Sequence, residues 1–229
     1  MKTSTFISII MLVFLCSCTA PINLVYDSAR TIDKGNVEFR GSYSIYRSPF
    51  GDLFNLAEPG KPLGNKNFGF EAGYGITDRY TLKVRYENLS LINFNKDYFL
   101  DLEDLSNMNY YGIENKYKFR RANVAIGLPL GYYKFRAEDA TTKGYFNADP
   151  MIYITLIGSP NKYELSIIPK IHVYIIDSPN VSPALSIGLG ISNDLEKWAL
   201  RPEVGFDGYF SFGLGFNVNL SKSLGKNKQ

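Results

Sequence analysis

The feature that most constrains the fold is a regular alternation of apolar and polar residues, which begins at Val37 and persists almost to the end of the chain. Successive side chains of a β-strand point to opposite faces, so this alternation predicts strands with one apolar and one polar face. In the first strand, Phe39 and Tyr43 lie on the apolar face, whereas Glu38 and Arg40 lie on the polar face. The pattern recurs in residues 37–46, 68–76, 80–88, 111–119, 123–133, 163–175, 184–192, 198–206 and 210–220. Residues 151–157 form a further predicted strand, the sixth along the chain, which is apolar on both faces and therefore has no clear orientation.

The connections between these predicted strands alternate between short and long. Bacterial outer-membrane barrels have an even number of antiparallel strands, with short turns at one end and longer loops at the other. Strands of about ten residues also suit a tilted crossing of the bilayer. We therefore predict an all-β fold, a transmembrane antiparallel up-and-down β-barrel of about ten strands, or eight if the sixth and seventh are misassigned. The short turns are residues 77–79, 120–122, 159–162 and 193–197, the long loops are 47–67, 89–110 and 134–150, and 176–183 is shorter.

The polar faces of the strands carry acidic and basic residues in equal numbers once Asp207 is included. In a membrane barrel the apolar face meets lipid and the polar face lines the lumen, whereas in a soluble sandwich the apolar face forms the core. A soluble lipocalin-like barrel shows similar alternation. Small barrels are filled by side chains, so the paired charges predict a closed lumen. The predicted lumen charge network comprises Glu38, Arg40, Glu71, Lys83, Arg85, Glu87, Glu114, Lys116, Lys118, Glu164, Lys170, Arg201 and Glu203.

Composition excludes several other classes of protein. The mean hydropathy of −0.13 is too low for a membrane protein with several helical spans, and 15% aromatic residues is too many for a disordered chain. The Tyr and Phe residues in the apolar rows instead suit the aromatic girdles of a membrane barrel. The 25 basic and 22 acidic residues nearly cancel, so nothing indicates a nucleic-acid surface.

The first residues have the pattern of an export signal. Lys2 precedes an apolar stretch, residues 6–16, that is too short to span a bilayer and suits a signal peptide. Its end, Leu15-Cys16-Ser17-Cys18, resembles a bacterial lipobox, which implies that Cys18 becomes the first residue and carries the lipid; an ordinary secretory signal is the alternative. We predict a signal peptide (1–17), a lipidated N-terminal tether (18–36), an outer-membrane barrel (37–220) and a periplasmic tail (221–229), with both termini periplasmic and the anchor in the inner leaflet.

Further stretches resemble parts of bacterial outer-membrane barrel families. Residues 73–82 resemble a strand–turn–strand crossing of porin-like proteins. Residues 211–218 resemble the C-terminal assembly signal of such barrels, with Gly213, Phe216 and Val218 as its spaced members. Cys18-Thr19-Ala20-Pro21, with residues 33–37, resembles small lipobox-bearing barrels of Bacteroidetes. The resemblance implies outer-membrane lipid, the barrel-insertion machinery and an envelope protein as partners, and it implies no catalytic residues.

No constellation in the sequence indicates catalysis, a metal or a cofactor. His172 is the only histidine, and it lacks the His-x-Ser spacing that would resemble a lipid A deacylase. Zinc ligation lacks Cys and His partners. Phe50 and Phe54, in the first long loop, are candidates for a binding surface. An acidic patch in the next long loop suits weak Ca²⁺ binding or, more simply, a solvated loop. The patch consists of Asp97, Asp101, Glu103 and Asp104.

The leading functional hypothesis is a non-enzymatic outer-membrane lipoprotein with a structural, accessory or surface-interaction role. The alternatives are a narrow channel for small solutes or ions, a lipid-modifying enzyme, and a soluble lipidated barrel that binds an apolar ligand.

Two local features constrain the strands further. Pro129, Pro169 and Pro202 each call for a bulge or a strand end. Keeping Phe210 outward calls for a three-residue turn at 207–209, with glycine in its left-handed position.

Overall fold

A computed structural model of the protein describes residues 24–47, 64–92, 107–120, 122–136, 142–159, 161–175, 179–206 and 210–220. The predicted signal peptide, Cys18, Phe50, Phe54, the acidic patch, Asp207 and the predicted tail lie outside these residues. Within the described part of the chain, no helix is long and apolar enough to cross a membrane.

The described residues form one antiparallel sheet. Its strands are β1 (Val37–Arg47), β2 (Gly64–Thr77), β3 (Tyr80–Ile92), β4 (Asn107–Lys118), β5 (Val124–Arg136), β6 (Thr142–Ala148), β7 (Met151–Ser159), β8 (Tyr163–Ile175), β9 (Pro179–Ile191), β10 (Trp198–Phe206) and β11 (Phe210–Asn219). Strands that follow one another along the chain are neighbours in the sheet, apart from β6 and β7, and β1 pairs with β11. The sheet therefore closes into the predicted up-and-down barrel.

Strands β6 and β7 share one position in the wall, between β5 and β8. The register on β5 is the same for both, because Leu130 pairs with Ala148 of β6 and Gly127 pairs with Met151 of β7. The barrel thus has ten strand positions, as predicted. The sequence interpretation was wrong about residues 134–150, which it assigned wholly to a long loop. Most of them extend β5 and form β6, and Pro150, which has no N–H to donate, marks the break.

The strand prolines lie where the sheet pairing is interrupted, and none of them lies at a bulge or at an end of its own strand. At Pro169 and Pro202, pairing with one neighbouring strand stops and then resumes in the same register, whereas Pro129 lies opposite the break between β6 and β7. For example, β10 pairs with β9 at Leu200 and again at Glu203, with Pro202 between. A missing donor is therefore tolerated without shifting the strand.

The connections confirm part of the predicted alternation. Long gaps separate β1 from β2 and β3 from β4, but only residues 137–141 separate β5 from β6 and only 176–178 separate β8 from β9. The two ends of the barrel therefore differ less than the sequence suggested. Phe206 pairs with Phe210, which confirms a three-residue connection at 207–209. We call the end that carries the β2–β3, β4–β5, β7–β8 and β9–β10 turns the short-turn end.

The two faces of the wall are inverted relative to a soluble protein. Phe70 points outward and is 53% exposed, whereas Glu87 points inward and is 1% exposed. The strand that had no clear orientation in the sequence, β7, places Met151 and Tyr153 inside and Ile152 outside. An apolar outer belt around a charged interior is the arrangement of a transmembrane barrel, in which the belt faces lipid.

Candidate functional site in the barrel lumen

The lumen contains the chain segment that precedes β1. Residues 24–33, which we call the plug segment, have no regular secondary structure, and Leu24 to Ala29 are buried inside the barrel. Residues 18–36 were predicted to be a lipidated tether that precedes the barrel, whereas Leu24 to Ala29, in the part of it that the structure describes, lie inside the barrel. At the short-turn end, Gly35 and Asn36 exchange main-chain hydrogen bonds with Gly75 before β1 begins.

Charged side chains of the wall bind the main chain of the plug segment. The Glu203 carboxylate accepts hydrogen bonds from the amides of Val25 and Tyr26, at 2.8 and 2.6 Å. The guanidinium of Arg85 donates to the carbonyl oxygen of Leu24 at 2.5 Å, and that of Arg40 donates to Val25 at 3.1 Å. Buried main-chain N–H and C=O groups need hydrogen-bond partners. In the plug segment, which has no regular secondary structure, these side chains provide them.

Asp27 carries the acidic group at the centre of the plug. Its carboxylate forms ion pairs with Lys83, with Lys116 at 2.8 Å and with Arg40 at 3.5 Å. Burial alone would raise the pKa of Asp27, but the three cations hold this pKa well below its ordinary value. The carbonyl of Ser28 accepts a second hydrogen bond from Lys116, at 2.5 Å. Asp27 was absent from the predicted charge network because the tether assignment removed it from the barrel.

The predicted network is assembled around this carboxylate. Glu71 pairs with Arg40 at 2.9 Å and with Lys83 at 3.3 Å, and Glu114 pairs with Lys83 at 3.4 Å. Glu114 also accepts a hydrogen bond from Tyr153. Two of the cations that bind Asp27, Arg40 and Lys83, therefore also bind the carboxylates of β2 and β4, which links the plug to several strands.

A second cluster lies on β8 and β10. Glu164 pairs with Arg201 and with Arg30 of the plug segment, each at 2.6 Å. Arg85 and Glu87 form a separate pair on β3. Lys170 is buried, whereas Lys118 is half-buried near the short-turn end. Glu38, at the start of β1, forms an ion pair with Arg40 at 3.0 Å. All the predicted network positions therefore face the interior, although Lys118, Glu38 and Arg85 are less buried than the rest.

Inward-facing glycines provide the space for the plug. A Cβ on Gly213 would lie 1.9 Å from the Tyr26 hydroxyl, and one on Gly215 would lie 2.7 Å from the Tyr26 side chain. On β2, a Cβ on Gly73 would lie 2.5 Å from Ile32. Of the predicted assembly-signal residues, Gly213 contacts the plug, whereas Phe216 and Val218 face outward. The small inward residues were the one sequence signal that a further segment fills the lumen.

The residues that line the lumen differ on the two sides of the plug segment. On the short-turn side, a polar cavity of about 210 Å³ is lined by Asp27, Lys83 and Lys116 together with residues of the turns. Towards the other end, a cluster of buried aromatic rings lies inside the barrel. The rings of Tyr133 and Tyr145 stack with centroids 4.7 Å apart, and the remaining members of this cluster are Leu89, Tyr110 and Tyr174.

His172 belongs to a buried polar group on β8. Its Nδ1 atom lies 2.9 Å from a carboxylate oxygen of Asp149, and Ser182 is its cross-strand neighbour on β9. Neither His172 Nε2 nor Ser182 Oγ has a hydrogen-bond partner in the described residues. The three residue types of a Ser-His-Asp triad are thus adjacent. All three side chains are buried, however, and no hydrogen bond joins Ser182 to His172. No group of metal-ligating side chains occurs in the described residues.

The chain is similar to several solved outer-membrane proteins at low sequence identity. No family model matches the sequence, and no curated protein matches it. The N-terminal β-barrel domain of Pseudomonas aeruginosa OprF is similar, with 14% identity over 82% of this chain and 98% of that chain and a TM-score of 0.34. An outer membrane channel from Pseudomonas putida F1 has 11% identity over 86% and 100%, with a TM-score of 0.44. Outer membrane phospholipase A from Escherichia coli has 10% identity over 83% and 94%, with a TM-score of 0.33. These likenesses concern the fold alone.

Proposed function

We propose that this chain is an integral outer-membrane lipoprotein, a small β-barrel closed by its own plug segment, with a structural, accessory or surface-interaction role. The observation that carries the proposal is the bonding of the plug to the lumen wall. Asp27 and the main chain of residues 24–26 bind charged side chains of β1, β3, β4 and β10. A passage through the barrel would have to cross this segment.

A narrow channel for small solutes or ions is the second candidate. The polar cavity of about 210 Å³ at the short-turn end favours it, because solutes from that side can reach the plug. Conduction would require the plug segment to move, and its buried ion pairs oppose this movement. Conductance across a planar bilayer distinguishes the two candidates. The closed barrel gives no reproducible single-channel steps, and such steps would overturn the proposal.

A soluble barrel that binds an apolar ligand is disfavoured by the distribution of side chains. Its lumen would need an apolar lining, whereas this lumen is lined by Glu, Arg and Lys around the plug. The test is extraction of isolated membranes with alkaline carbonate, together with gel migration before and after heating. We expect the protein to remain in the membrane pellet and to migrate differently when unheated. Release into the soluble fraction would contradict a membrane-spanning barrel.

The lipid anchor and the partner are tested separately. We propose that Cys18 carries the lipid and that the chain is sorted to the outer membrane. Metabolic labelling with a fatty acid should mark the protein, and Cys18→Ala should abolish the label. Retention of the label in this variant would refute the anchor.

Co-purification in mild detergent tests the accessory role, for which one envelope protein should accompany the barrel in stoichiometric amount. Recovery of the barrel alone would argue for an autonomous role.

A further inference from the structure

The outer face of the barrel carries a groove of about 730 Å³ that spans β3, β4, β5, β7, β8 and β9. Its lining is almost wholly apolar, and Ile126, Leu128, Ile152 and Ile171 belong to it. The groove is continuous with the apolar belt, where these strands expose further large hydrophobic side chains. Ligand sites have volumes of this order and a similar apolar lining.

The groove lies where the strand pairing is interrupted. Pro150, Pro169 and Pro183 line it on three successive strand positions. Each proline removes a main-chain donor. Pairing of β7 with β8 is absent between Met151 and Ile154. The groove therefore lies where the main-chain pairing of the wall is interrupted.

One end of the groove is polar. Tyr80 and Tyr117 line it near the short-turn end, and the Tyr80 hydroxyl donates a hydrogen bond to the Asn115 side-chain oxygen at 2.5 Å. The amide nitrogen of Asn115 carries two donors of its own. The neighbouring turns add two exposed arginines, Arg79 before Tyr80 and Arg120 after the end of β4. The first turn also contains the exposed Asp78, whose carboxylate accepts a hydrogen bond from the Lys34 amide at 3.2 Å.

We propose that this groove is a binding site for an anionic glycerophospholipid of the leaflet at the short-turn end. One acyl chain lies along the prolines, Asn115 donates to an ester carbonyl, and the phosphate lies between Arg79 and Arg120. The groove is continuous with the apolar belt, so an acyl chain can enter it from the lipid. The two arginines favour a headgroup with a negative charge. The proposal rests on the membrane-spanning part of the proposed function, but it does not depend on the closed lumen.

The same barrel provides a matched control surface. A second apolar groove, of about 570 Å³, lies on β1, β2, β3 and β11 and includes Phe39, Phe70 and Ala72. Among the described residues, no proline lines this second groove. Lys162, in the β7–β8 turn, is an exposed cation at the short-turn end away from the polar end of the first groove. Substitutions at Ala72 and Lys162 therefore control for added bulk and for lost charge.

The test is native mass spectrometry of the purified full-length barrel in mild detergent, titrated with phosphatidylglycerol or phosphatidylethanolamine of identical chains. We expect one phosphatidylglycerol per barrel, bound more tightly than phosphatidylethanolamine by roughly fivefold for each arginine. The double variant Arg79→Gln/Arg120→Gln should lose this preference, whereas Lys162→Gln should keep it. Pro183→Trp and Ile152→Trp should each weaken the binding of both lipids, whereas Ala72→Trp should not.

Two results would overturn the site. One is equal binding of the two lipids by the unaltered barrel, and the other is an equal loss of binding in Ala72→Trp and both groove variants. Folding of each variant is verified by its gel migration before heating. Release of the protein by alkaline carbonate would refute the membrane assignment itself, whereas a folded membrane barrel without lipid preference would refute only this site.

Discussion

Replacement of Asp27 by Asn removes the negative charge that the plug segment supplies to the lumen, at little cost in volume. In the described part of the chain, Lys116 pairs with no other carboxylate, whereas Lys83 retains Glu71 and Glu114. Removing one partner of a buried ion pair costs about 3–5 kcal/mol, because the other charge stays buried without compensation. Since Asn keeps an oxygen that accepts hydrogen bonds, we expect a loss near the lower limit, ~3 kcal/mol of unfolding free energy.

The assay is reversible unfolding in guanidinium chloride, performed on barrels folded into detergent micelles. Asp194→Asn is the control, because Asp194 pairs with Lys197 at 2.9 Å near the surface, where such pairs contribute less than about 1 kcal/mol. A second variant, Asp27→Asn/Lys116→Met, removes both charges and should recover part of the loss. An effect of Asp27→Asn no larger than that of Asp194→Asn would refute the claim that this carboxylate holds the plug.

Three further predictions concern the lumen. Because its pKa is lowered in the folded barrel, Asp27 should stabilise the fold at neutral pH, and the difference between parent and Asp27→Asn should shrink below about pH 4, which unfolding measured across pH checks. Gly213→Val should expose residues 24–33 to protease, because its side chain would clash with Tyr26, whereas Gly41→Val, at a position with open space, should not. His172→Ala should leave outer-membrane lipids unchanged in mass spectra, and an altered lipid profile would instead support catalysis.

The alternation of residues was sufficient to predict most of the wall. A strand that spans a membrane barrel has one face in lipid and one in the lumen, so residues such as Phe70 and Glu71 reveal their orientation locally. The alternation also continues through Asn147, Asp149 and Met151, all of which are buried. The proline at 150 nevertheless made this continuous strand position appear as a loop followed by a shorter strand.

The plug segment could not be predicted in the same way. Its residues follow no period, because they bind side chains of several strands of the wall and do not pair with a neighbouring strand of a sheet. Asp27 contacts Lys83 and Lys116, which lie far along the chain, so a local pattern does not encode the contacts. Only the inward glycines, such as Gly213 and Gly215, indicated from the wall side that the lumen holds something more than its own side chains.

The measurement that tests the closed lumen most directly is single-channel recording in planar bilayers, with the unaltered barrel beside the double variant Asp27→Asn/Glu203→Gln. These substitutions remove the charge of Asp27 and replace the Glu203 carboxylate by a neutral amide. The hydrogen bonds that Glu203 accepts from the amides of Val25 and Tyr26 are thereby weakened. If the plug closes the barrel, the unaltered protein stays silent and the folded variant conducts in discrete steps. Reproducible steps of the same size in both proteins would contradict a lumen closed by residues 24–33.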